Sequence, residues 1–302
     1  MNRIGLLILL ALVPAKAMGQ DVALGEIETA TDVLYSTAGG ETLKMDLAWP
    51  KEGAGPFPVV VFVHGGGWMA GSYKMYTIAT QEVARRGYVG ASVEYRFAPK
   101  HTFPAQIDDV RCSVHWLCEN AAKYKIDAKR MGLWGDSSGS HLAALLAVTG
   151  SDDKPAGRDA RKPPSCIRAV VCYYGAFDLL KAYEHSAQLQ PLLQAGMLRS
   201  FIEQFLGGKP GEVPKKYKAA SPVTYASKEA PPMLLIHGTA DELVPLEQSE
   251  MFEKALKAAG APVELVRVAK VGHGFAGQEL ADSLVVAGAF LEKHLKGKGL
   301  EK

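Results

Sequence analysis

A serine between two glycines is the first group in this sequence that could do covalent chemistry. Residues 135–139 read Gly-Asp-Ser-Ser-Gly, and they join a short apolar strand predicted over residues 130–134 to an apolar helix predicted over residues 138–148. The G-x-S-x-G motif alone is weak, but between a strand and a helix it is typical of a nucleophile on a strained turn. The glycines are needed because side chains there would clash with the strand and the helix. We predict that Ser137 is a nucleophile; a helix N-cap serine is the alternative.

A glycine-rich loop supplies a second feature of acyl-transfer chemistry. Residues 64–68 read His-Gly-Gly-Gly-Trp and follow the apolar residues 58–63, which are typical of a buried strand. Consecutive glycines let backbone N–H groups approach a ligand oxygen, as an oxyanion hole requires; a flexible turn is the alternative. We predict that the donors are the N–H groups of Gly66, Gly67 and Ser138.

Three further side chains near these motifs receive predicted roles. The hydroxyl of Ser138, the competing serine, should face away from the site. We expect His64 to form a structural hydrogen bond for the glycine loop rather than to act as a base. Trp68 follows the glycines directly, and we assign it to the substrate-binding surface.

A base and an acid should follow the serine in the chain, with the acid before the histidine. His273 lies between two glycines just after the last predicted strand, on a loop at the carboxyl edge of the sheet. Asp241 follows the penultimate strand, and its carboxylate would hold the imidazole in one tautomer. Glu242 and Asp178 are the alternative acids. Three other histidines lie in helices or at a strand end and fit less well: His115, His141 and His237.

The elements that must position these groups alternate between strands and helices. This alternation predicts an α/β protein with a mostly parallel sheet and helices on both faces. The predicted strands are residues 43–49, 58–63, 88–95, 130–134, 167–174, 233–237 and 263–268. The predicted helices are residues 105–124, 138–148, 246–259 and 280–295, with Gly260 as a C-cap.

Residues 178–221 interrupt this alternation, because they are far longer than an ordinary connection between two strands. They carry a helical pattern of their own, so we predict an inserted cap within a single domain of residues 20–302. The insertion leaves the sheet at the edge that presents Ser137, and we expect it to cover the site. Its apolar side chains should be buried there: Leu192, Leu193, Met197, Leu198, Phe201, Ile202 and Phe205.

In combination, these motifs resemble the α/β-hydrolase fold and, within it, the hormone-sensitive-lipase-like carboxylesterases. The most similar branch includes bacterial feruloyl-esterase-like proteins. The matching motifs are His64-Gly-Gly-Gly-Trp68, Glu94-Tyr-Arg-Phe-Ala-Pro99, Phe103-Pro-Ala105 with Asp108-Asp109, Gly135-Asp-Ser-Ser-Gly139, His237-Gly-Thr-Ala-Asp241 with Val244-Pro245, and Gly272-His-Gly274. The resemblance implies a serine esterase that needs no metal or organic cofactor. Ser140 is a departure, since the family usually has glycine there.

The charge balance argues against two classes of partner. The sequence contains 34 Lys and Arg against 32 Asp and Glu, a net charge of +2, and no run of basic residues. We therefore expect neither nucleic acid nor an anionic membrane to bind. The composition, with 48% hydrophobic and 22% charged residues, is that of an ordinary folded domain.

The first residues have the pattern of an export signal. Arg3 is followed by an apolar segment over residues 4–13 and then by small residues. We predict a signal peptide over residues 1–19, with cleavage after Ala17 or Gly19, and a periplasmic or secreted protein. About ten apolar residues are too few to cross a bilayer core of roughly 30 Å, so stable membrane insertion is not expected.

Four cysteines remain in the exported chain. Cys112 and Cys118 point in different directions on one predicted helix, and Cys166 and Cys172 lie about 20 Å apart along one predicted strand. Neither local pair can bridge within the Cα limit of roughly 7 Å. We expect buried free thiols, with a cross pair as the alternative. No Cys-x-x-Cys or paired histidine spacing indicates a zinc site.

The leading hypothesis is therefore a serine carboxylesterase for short-chain or small aromatic esters, free or linked to a polysaccharide. An amidase, formamidase or peptidase of the same fold is the first alternative. A non-catalytic binding protein with a hydrolase fold is a second, although such proteins usually lack a member of the triad. The sequence leaves the ester and the oligomeric state open.

Overall fold

The computed structural model describes residues 25–149, 166–188 and 193–297; the predicted signal peptide lies outside them. Its strands are β1 (Ile27–Ala38), β2 (Glu41–Pro50), β3 (Phe57–Val63), β4 (Val89–Val93), β5 (Ile126–Asp136), β6 (Ile167–Tyr173), β7 (Met233–Gly238) and β8 (Val263–Val268). They form one sheet in the order β1-β2-β4-β3-β5-β6-β7-β8. β1 pairs antiparallel with β2, and β2 pairs antiparallel with β4, while all other neighbours are parallel. The prediction of a mostly parallel sheet is confirmed.

Helices cover both faces of this sheet. They are α1 (Thr77–Arg85), α2 (Ala105–Glu119), α3 (Ser138–Thr149), α4 (Leu179–Gln188), α5 (Leu193–Leu206), α6 (Pro214–Ala219), α7 (Glu247–Ala259) and α8 (Gly277–Leu291). Val61 of β3 packs in the same core as side chains of α2, α3 and α7, whereas its neighbour Phe62 packs in the core with α1 and α8. Successive residues of a strand point to opposite faces, so two apolar cores form. Within the described ranges, no helix is long and apolar enough to span a bilayer.

The structure differs from the sequence-based boundaries at several elements: α1 was not predicted, β4 is shorter than expected, and β1, α2 and β5 show the physical reasons most clearly. β1 was not predicted, because it is an edge strand with one buried residue, Tyr35, and so has no apolar pattern. α2 ends at Glu119, earlier than expected, and Lys125 (φ 56°) turns the chain into β5. The N–H of Phe57 then donates to the carbonyl of Lys125, at 2.7 Å, and pairing with β3 starts β5 at Ile126.

The predicted insertion lies between β6 and β7 and contains α4, α5, α6 and a 3₁₀ turn, Pro222–Tyr225. Met197 was expected to be buried, and this is wrong: its side chain is 44% exposed because that face of α5 meets solvent. Leu192 lies outside the described residues, as does the side chain of Leu193. Three of the expected side chains are buried: Leu198, Ile202 and Phe205.

Close contact between α3 and the end of β3 depends on a glycine. A Cβ atom on Gly139 would overlap the carbonyl oxygens of Val63 and His64. The first turn of α3 can therefore approach the sheet only where the side chain is a hydrogen atom. This packing brings the start of the helix next to the glycine-rich loop after β3.

We expect Gly139→Ala to lower the free energy of unfolding by about 1–3 kcal/mol or more, because backbone atoms must move to admit the methyl group. Gly288→Ala is the matched control, since Gly288 lies in α8 and a Cβ there meets no atom within 4 Å. That change should be neutral or stabilise the protein by up to about 1 kcal/mol. Urea denaturation followed by circular dichroism measures both. Equal stability of the two variants would contradict this account of the packing.

Candidate active site

Ser137 lies on a sharp turn between β5 and α3. Its φ angle is 49°, in the left-handed region that costs a residue other than glycine about 1–3 kcal/mol. Two backbone hydrogen bonds hold the turn: the Ser137 N–H donates to the Tyr173 carbonyl (2.9 Å), and the His141 N–H donates to the Ser137 carbonyl (3.1 Å). A Cβ on Gly135 would overlap the backbone of α3, so this glycine is also required. The turn presents the serine hydroxyl at the carboxyl edge of the sheet.

His273 and Asp241 lie beside this hydroxyl. His273 Nε2 is 3.0 Å from Ser137 Oγ, and His273 Nδ1 is 2.8 Å from Asp241 Oδ2. The carboxylate accepts the Nδ1–H, which leaves Nε2 free to accept the serine proton. The ring of Tyr174 packs edge-on against the imidazole, with 4.8 Å between centroids. The sequence predicted these three residues separately, and the structure brings them into one hydrogen-bonded chain.

The Asp241 carboxylate is held by four donors. Its Oδ1 accepts the N–H groups of Leu243 (3.0 Å) and Val244 (2.9 Å), and its Oδ2 accepts both His273 and His237 Nε2, the latter at 3.2 Å. Burial acts to raise the pKa of Asp241, but the hydrogen bonds from His237 and His273 outweigh it and lower the pKa to about 2. The carboxylate therefore stays ionised at neutral pH.

His237 is a second imidazole on this carboxylate, and its role was not predicted. Its side chain is fully buried. Nε2 lies 2.8 Å from the carbonyl of Val244, which can only accept, so Nε2 carries the proton and shares it between this carbonyl and Asp241. Nδ1 then accepts the hydroxyl proton of Ser249 at 2.7 Å. His237 thus helps to fix Asp241 by donating to the same carboxylate oxygen that His273 contacts. In the sequence, this role could have been suspected from the position of His237 at the end of β7, four residues before the acid.

The alternative acids lie elsewhere. Asp178 Oδ1 accepts the N–H of Lys181 at 3.0 Å and so caps α4, and Glu242 points into solvent. Two other histidines form structural hydrogen bonds instead of contacting Ser137. His64 Nδ1 donates to the Gly65 carbonyl, and His141 Nε2 donates to the Ala220 carbonyl. Burial lowers the pKa of each of these imidazoles to about 4. In the described parts of the chain, no cluster of three or more His, Cys, Asp or Glu side chains could hold a metal ion.

The glycine-rich loop faces the serine turn. Gly66 and Gly67 both have positive φ angles, 123° and 62°, which glycine adopts without strain. Within the described residues, the N–H groups of Gly66, Gly67 and Ser138 donate to no protein acceptor. Three free donors beside one nucleophile are the arrangement that an oxyanion needs.

Asp136 holds this loop in place, and the sequence did not single it out. Its Oδ1 accepts the Gly65 N–H (2.9 Å) and the Tyr76 hydroxyl (2.6 Å). Burial raises the pKa of this carboxyl and outweighs the hydrogen bonds from Tyr76 and Gly65, which act to lower it. The Tyr95 hydroxyl also supports the loop by donating to the His64 carbonyl at 2.9 Å. Asp136 precedes the nucleophile, so one turn positions both the serine and the loop that faces it.

Aromatic side chains of the insertion cover the loop. The ring of Phe201 is partly exposed, and a Cβ on Gly67 would lie 2.9 Å from it. Trp68 is only 2% exposed; it stacks on Phe205 at 4.4 Å, and its Nε1 donates to His141 Nδ1 at 3.1 Å. This burial does not favour the substrate contact predicted for Trp68. Phe201 is a partly exposed aromatic residue that lies against Gly67 of this loop.

Ser140 stands where the family usually has glycine, and the neighbouring structure makes room for its side chain. Ser140 is fully buried, and its hydroxyl has no partner among the described residues. A Cβ on Gly175 would overlap that hydroxyl, so a glycine after β6 makes the room that Ser140 needs. The substitution alters packing behind the serine turn and leaves the hydrogen bond between His273 and Ser137 in place.

Comparison with known proteins agrees with this site. The BD-FAE family model matches residues 45–256, which include the glycine-rich loop, Ser137 and Asp241. The chain belongs to the BD-FAE family. Its resemblance to hormone-sensitive-lipase-like and feruloyl-esterase-like proteins is thereby confirmed. His273 lies beyond the matched region.

Similar curated proteins are named esterases. The chain is 32% identical to esterase LipQ of Mycobacterium tuberculosis over 254 residues, which cover 81% of this chain and 57% of LipQ. It is 31% identical to carboxylesterase NlhH of the same species, over 75% of this chain and 69% of NlhH. The chain thus spans little more than half the length of LipQ.

Solved structures confirm the α/β-hydrolase fold. A carbohydrate esterase from gut microbiota, solved in truncated form, superposes with a TM-score of 0.72 at 28% identity, over 88% of this chain and 97% of that one. Esterase 2 of Thermogutta terrifontis with bound butyrate gives a TM-score of 0.70 at 27% identity, over 91% and 97% of the two chains. That esterase has also been solved phosphorylated by paraoxon.

We expect Ser137→Ala to lower kcat for ester hydrolysis by several orders of magnitude, on the order of 10⁶, while the protein stays folded. Ser138→Ala is the matched control, because it removes a neighbouring hydroxyl and keeps the Ser138 N–H. It should retain most of the activity. Hydrolysis of p-nitrophenyl acetate, with circular dichroism to check folding, measures both variants. Loss of activity in Ser138→Ala with activity retained in Ser137→Ala would reverse the assignment.

Asp241→Asn should fold but lose on the order of 10⁴ in kcat, because the amide can stabilise the wrong tautomer of His273. Asp178→Asn removes the same charge at the start of α4, where an asparagine can still cap the helix, and should have a much smaller effect. Steady-state kinetics at pH 8 compare the two. A larger loss in Asp178→Asn would make Asp178 the acid.

Proposed function

We propose that this protein is a serine carboxylesterase that forms an acyl-enzyme on Ser137. The observation that carries the proposal is the continuous hydrogen-bonded chain from Ser137 Oγ through His273 to Asp241. Such a chain lets a neutral imidazole remove the serine proton while a fixed carboxylate stabilises the imidazolium that results. The names of the similar proteins support the same reaction class.

The proposed reaction has two halves. Ser137 Oγ attacks the ester carbonyl as its proton moves to His273 Nε2, and His273 then gives that proton to the departing alcohol. A water molecule next attacks the acyl-enzyme, with His273 again taking the proton, and releases the acid. Asp241 remains a carboxylate throughout, which its pKa of about 2 favours.

The oxyanion of each tetrahedral intermediate would accept the N–H groups of Gly66, Gly67 and Ser138. These donors need no reorganisation, because Asp136 and the glycine conformations hold the loop before substrate binds. Removing one such donor in a serine hydrolase typically costs about 10²–10³ in kcat. The donors stabilise charge that develops in the transition state, so they act on kcat more than on binding.

We propose that the preferred substrates are esters with a short acyl group. Phe201 of α5 lies against Gly67, so the insertion covers the side of the site where the carbonyl oxygen would bind. A covered site limits the room for a long chain, and each buried CH₂ contributes about 0.8 kcal/mol only until the pocket is full. The butyrate held by the similar Thermogutta esterase supports a small acid product. The alcohol part is proposed to be a small molecule or a polysaccharide.

The site is proposed to work outside the cytoplasm, in the periplasm or the medium. The proposal is supported by the pattern of residues 1–19, with one arginine, a short apolar segment and small residues at its end.

A series of p-nitrophenyl esters tests the proposed substrate class. We expect kcat/KM to peak at acyl chains of about two to six carbons and to fall steeply for longer ones. Phe201→Ala should raise the relative kcat/KM of the longer esters by opening the covered side. Met197→Ala is the control on the same helix, because Met197 faces solvent.

Three further substrates are added to the p-nitrophenyl ester series: methyl ferulate, acetylated xylan and an aryl amide. They distinguish feruloyl esterase, acetylxylan esterase and amidase activity. Efficient turnover of long-chain esters or of emulsified triglyceride by the unmodified protein would contradict the short-chain proposal. Preferential cleavage of the amide would instead favour the amidase alternative.

A further inference from the structure

The acid of the triad holds two imidazoles on one of its oxygen atoms. Asp241 Oδ2 lies 2.8 Å from His273 Nδ1 and 3.2 Å from His237 Nε2. His273 is the imidazole that continues to the nucleophile, since its Nε2 lies 3.0 Å from Ser137 Oγ. The side chain of His237 is fully buried, and both of its ring nitrogens bind other groups. Its place on the carboxylate therefore calls for a role other than proton transfer with substrate.

Two neighbours fix which nitrogen of His237 carries the proton. Nε2 lies 2.8 Å from the Val244 carbonyl, which accepts hydrogen bonds only, so Nε2 must be protonated. Nδ1 lies 2.7 Å from Ser249 Oγ, and a serine hydroxyl can donate to an unprotonated nitrogen. Ser249 lies on α7 and is 1% exposed, so bulk water does not compete for this hydrogen bond. Both neighbours thus favour one tautomer, in which the N–H of Nε2 also reaches the Asp241 carboxylate.

We propose that His237, fixed in this tautomer by Ser249, is a positioning residue that keeps the Nδ1 proton on His273 during acyl transfer. The proposal rests on the proposed function, because it concerns the imidazolium that forms when Ser137 gives up its proton. That imidazolium directs an acidic N–H at Asp241 Oδ2. An oxygen atom that already accepts a second N–H is a weaker base, so the proton stays on the imidazole.

The other contacts of the carboxylate agree with this role. Asp241 Oδ1 accepts the N–H groups of Leu243 and Val244, at 3.0 and 2.9 Å, so both oxygen atoms are held. Burial acts to raise the pKa of Asp241, and the hydrogen bonds from His237 and His273 bring it down to about 2. Loss of the His237 donor would leave Oδ2 with one partner and make it more basic. The effect should appear in kcat rather than KM, because the imidazolium forms only after substrate has bound.

Two substitutions of His237 test the donor itself. Leucine removes the N–H, whereas the side-chain amide of glutamine still offers one to the carboxylate. We expect His237→Leu to lower kcat for p-nitrophenyl acetate about ten- to a hundredfold with little change in KM, as for loss of a hydrogen bond to a charged group. His237→Gln should recover much of this loss. An equal loss in both variants, or a loss that appears in KM alone, would overturn the proposal.

Ser249→Ala tests the residue that fixes the tautomer, and it is a smaller change that the fold should tolerate if His237→Leu does not fold. We expect kcat to fall about three- to tenfold, since one neutral hydrogen bond is lost. Ser113→Ala is the matched control, because Ser113 is also a fully buried helix serine and its hydroxyl donates to the Val110 carbonyl within α2. It should keep the kcat of the unmodified protein. Full activity in Ser249→Ala would contradict the role given to Ser249.

A double-mutant cycle separates positioning from general support of the fold. His237→Leu and Ser249→Ala are each combined with Asp241→Asn, and kcat is measured again. Residues that act on catalysis only through the Asp241 carboxylate should lower kcat no further once that carboxylate is an amide. Losses that simply add to that of Asp241→Asn would show an effect on the fold and would overturn the proposal.

Nuclear magnetic resonance gives a readout that does not depend on ester hydrolysis. In protein with ¹⁵N-labelled histidines, two-bond ¹H–¹⁵N correlations at pH 8 should show His237 protonated at Nε2 and His273 protonated at Nδ1. The signals absent from His237→Gln identify His237. A proton on Nδ1 of His237 in the unmodified protein would overturn the proposal even in an active esterase. Absence of ester hydrolysis from a protein with the expected tautomers would instead contradict the proposed function.

Discussion

The geometry of the site depends on one backbone constraint, the left-handed conformation of Ser137 between β5 and α3. This conformation is unfavourable for serine, so the neighbouring packing must hold it. Gly135 and Gly139 allow the close contact between strand and helix, since a side chain at either position would overlap backbone atoms. The same turn exposes the hydroxyl, starts α3 so that the Ser138 N–H is free, and places the Asp136 carboxylate against the glycine-rich loop.

Polar groups hold one side of the active site, and aromatic side chains cover the other. The acid side is a polar network in which Asp241 receives two backbone N–H groups and two imidazoles. Such a buried carboxylate is stable because every lone pair has a donor, and no arginine or lysine is needed to hold it. The opposite side is aromatic, with Trp68 buried under Phe205 and Phe201 at the surface. The base His273 is therefore held on one side of the site and the glycine-rich loop with its N–H donors on the other. The insertion limits the space for substrate between them.

The sequence was sufficient to predict the catalytic groups that come directly after a strand. Ser137, Asp241 and His273 each follow a recognisable strand, and parallel strands end at one edge of a sheet, so their meeting could be predicted. Asp136 could not be assigned a role, because its partners Gly65 and Tyr76 come from distant segments. His237 could not be assigned one either, because the sequence does not show that the loop after β7 folds back and brings Asp241 and Val244 to its imidazole. β1 was missed because an exposed edge strand lacks an apolar pattern, and Met197 was misassigned because apolar spacing does not show which face of α5 meets solvent.

Ser137 should be the one serine that His273 activates. Covalent labelling tests it most directly: the protein is incubated with paraoxon, and the modified peptide is located by mass spectrometry. We predict a single diethylphosphoryl group, on Ser137, with loss of esterase activity in proportion to labelling. The same treatment should leave Ser137→Ala unlabelled. A phosphoryl group on Ser138 or elsewhere, or full activity after Ser137 is labelled, would contradict the claim.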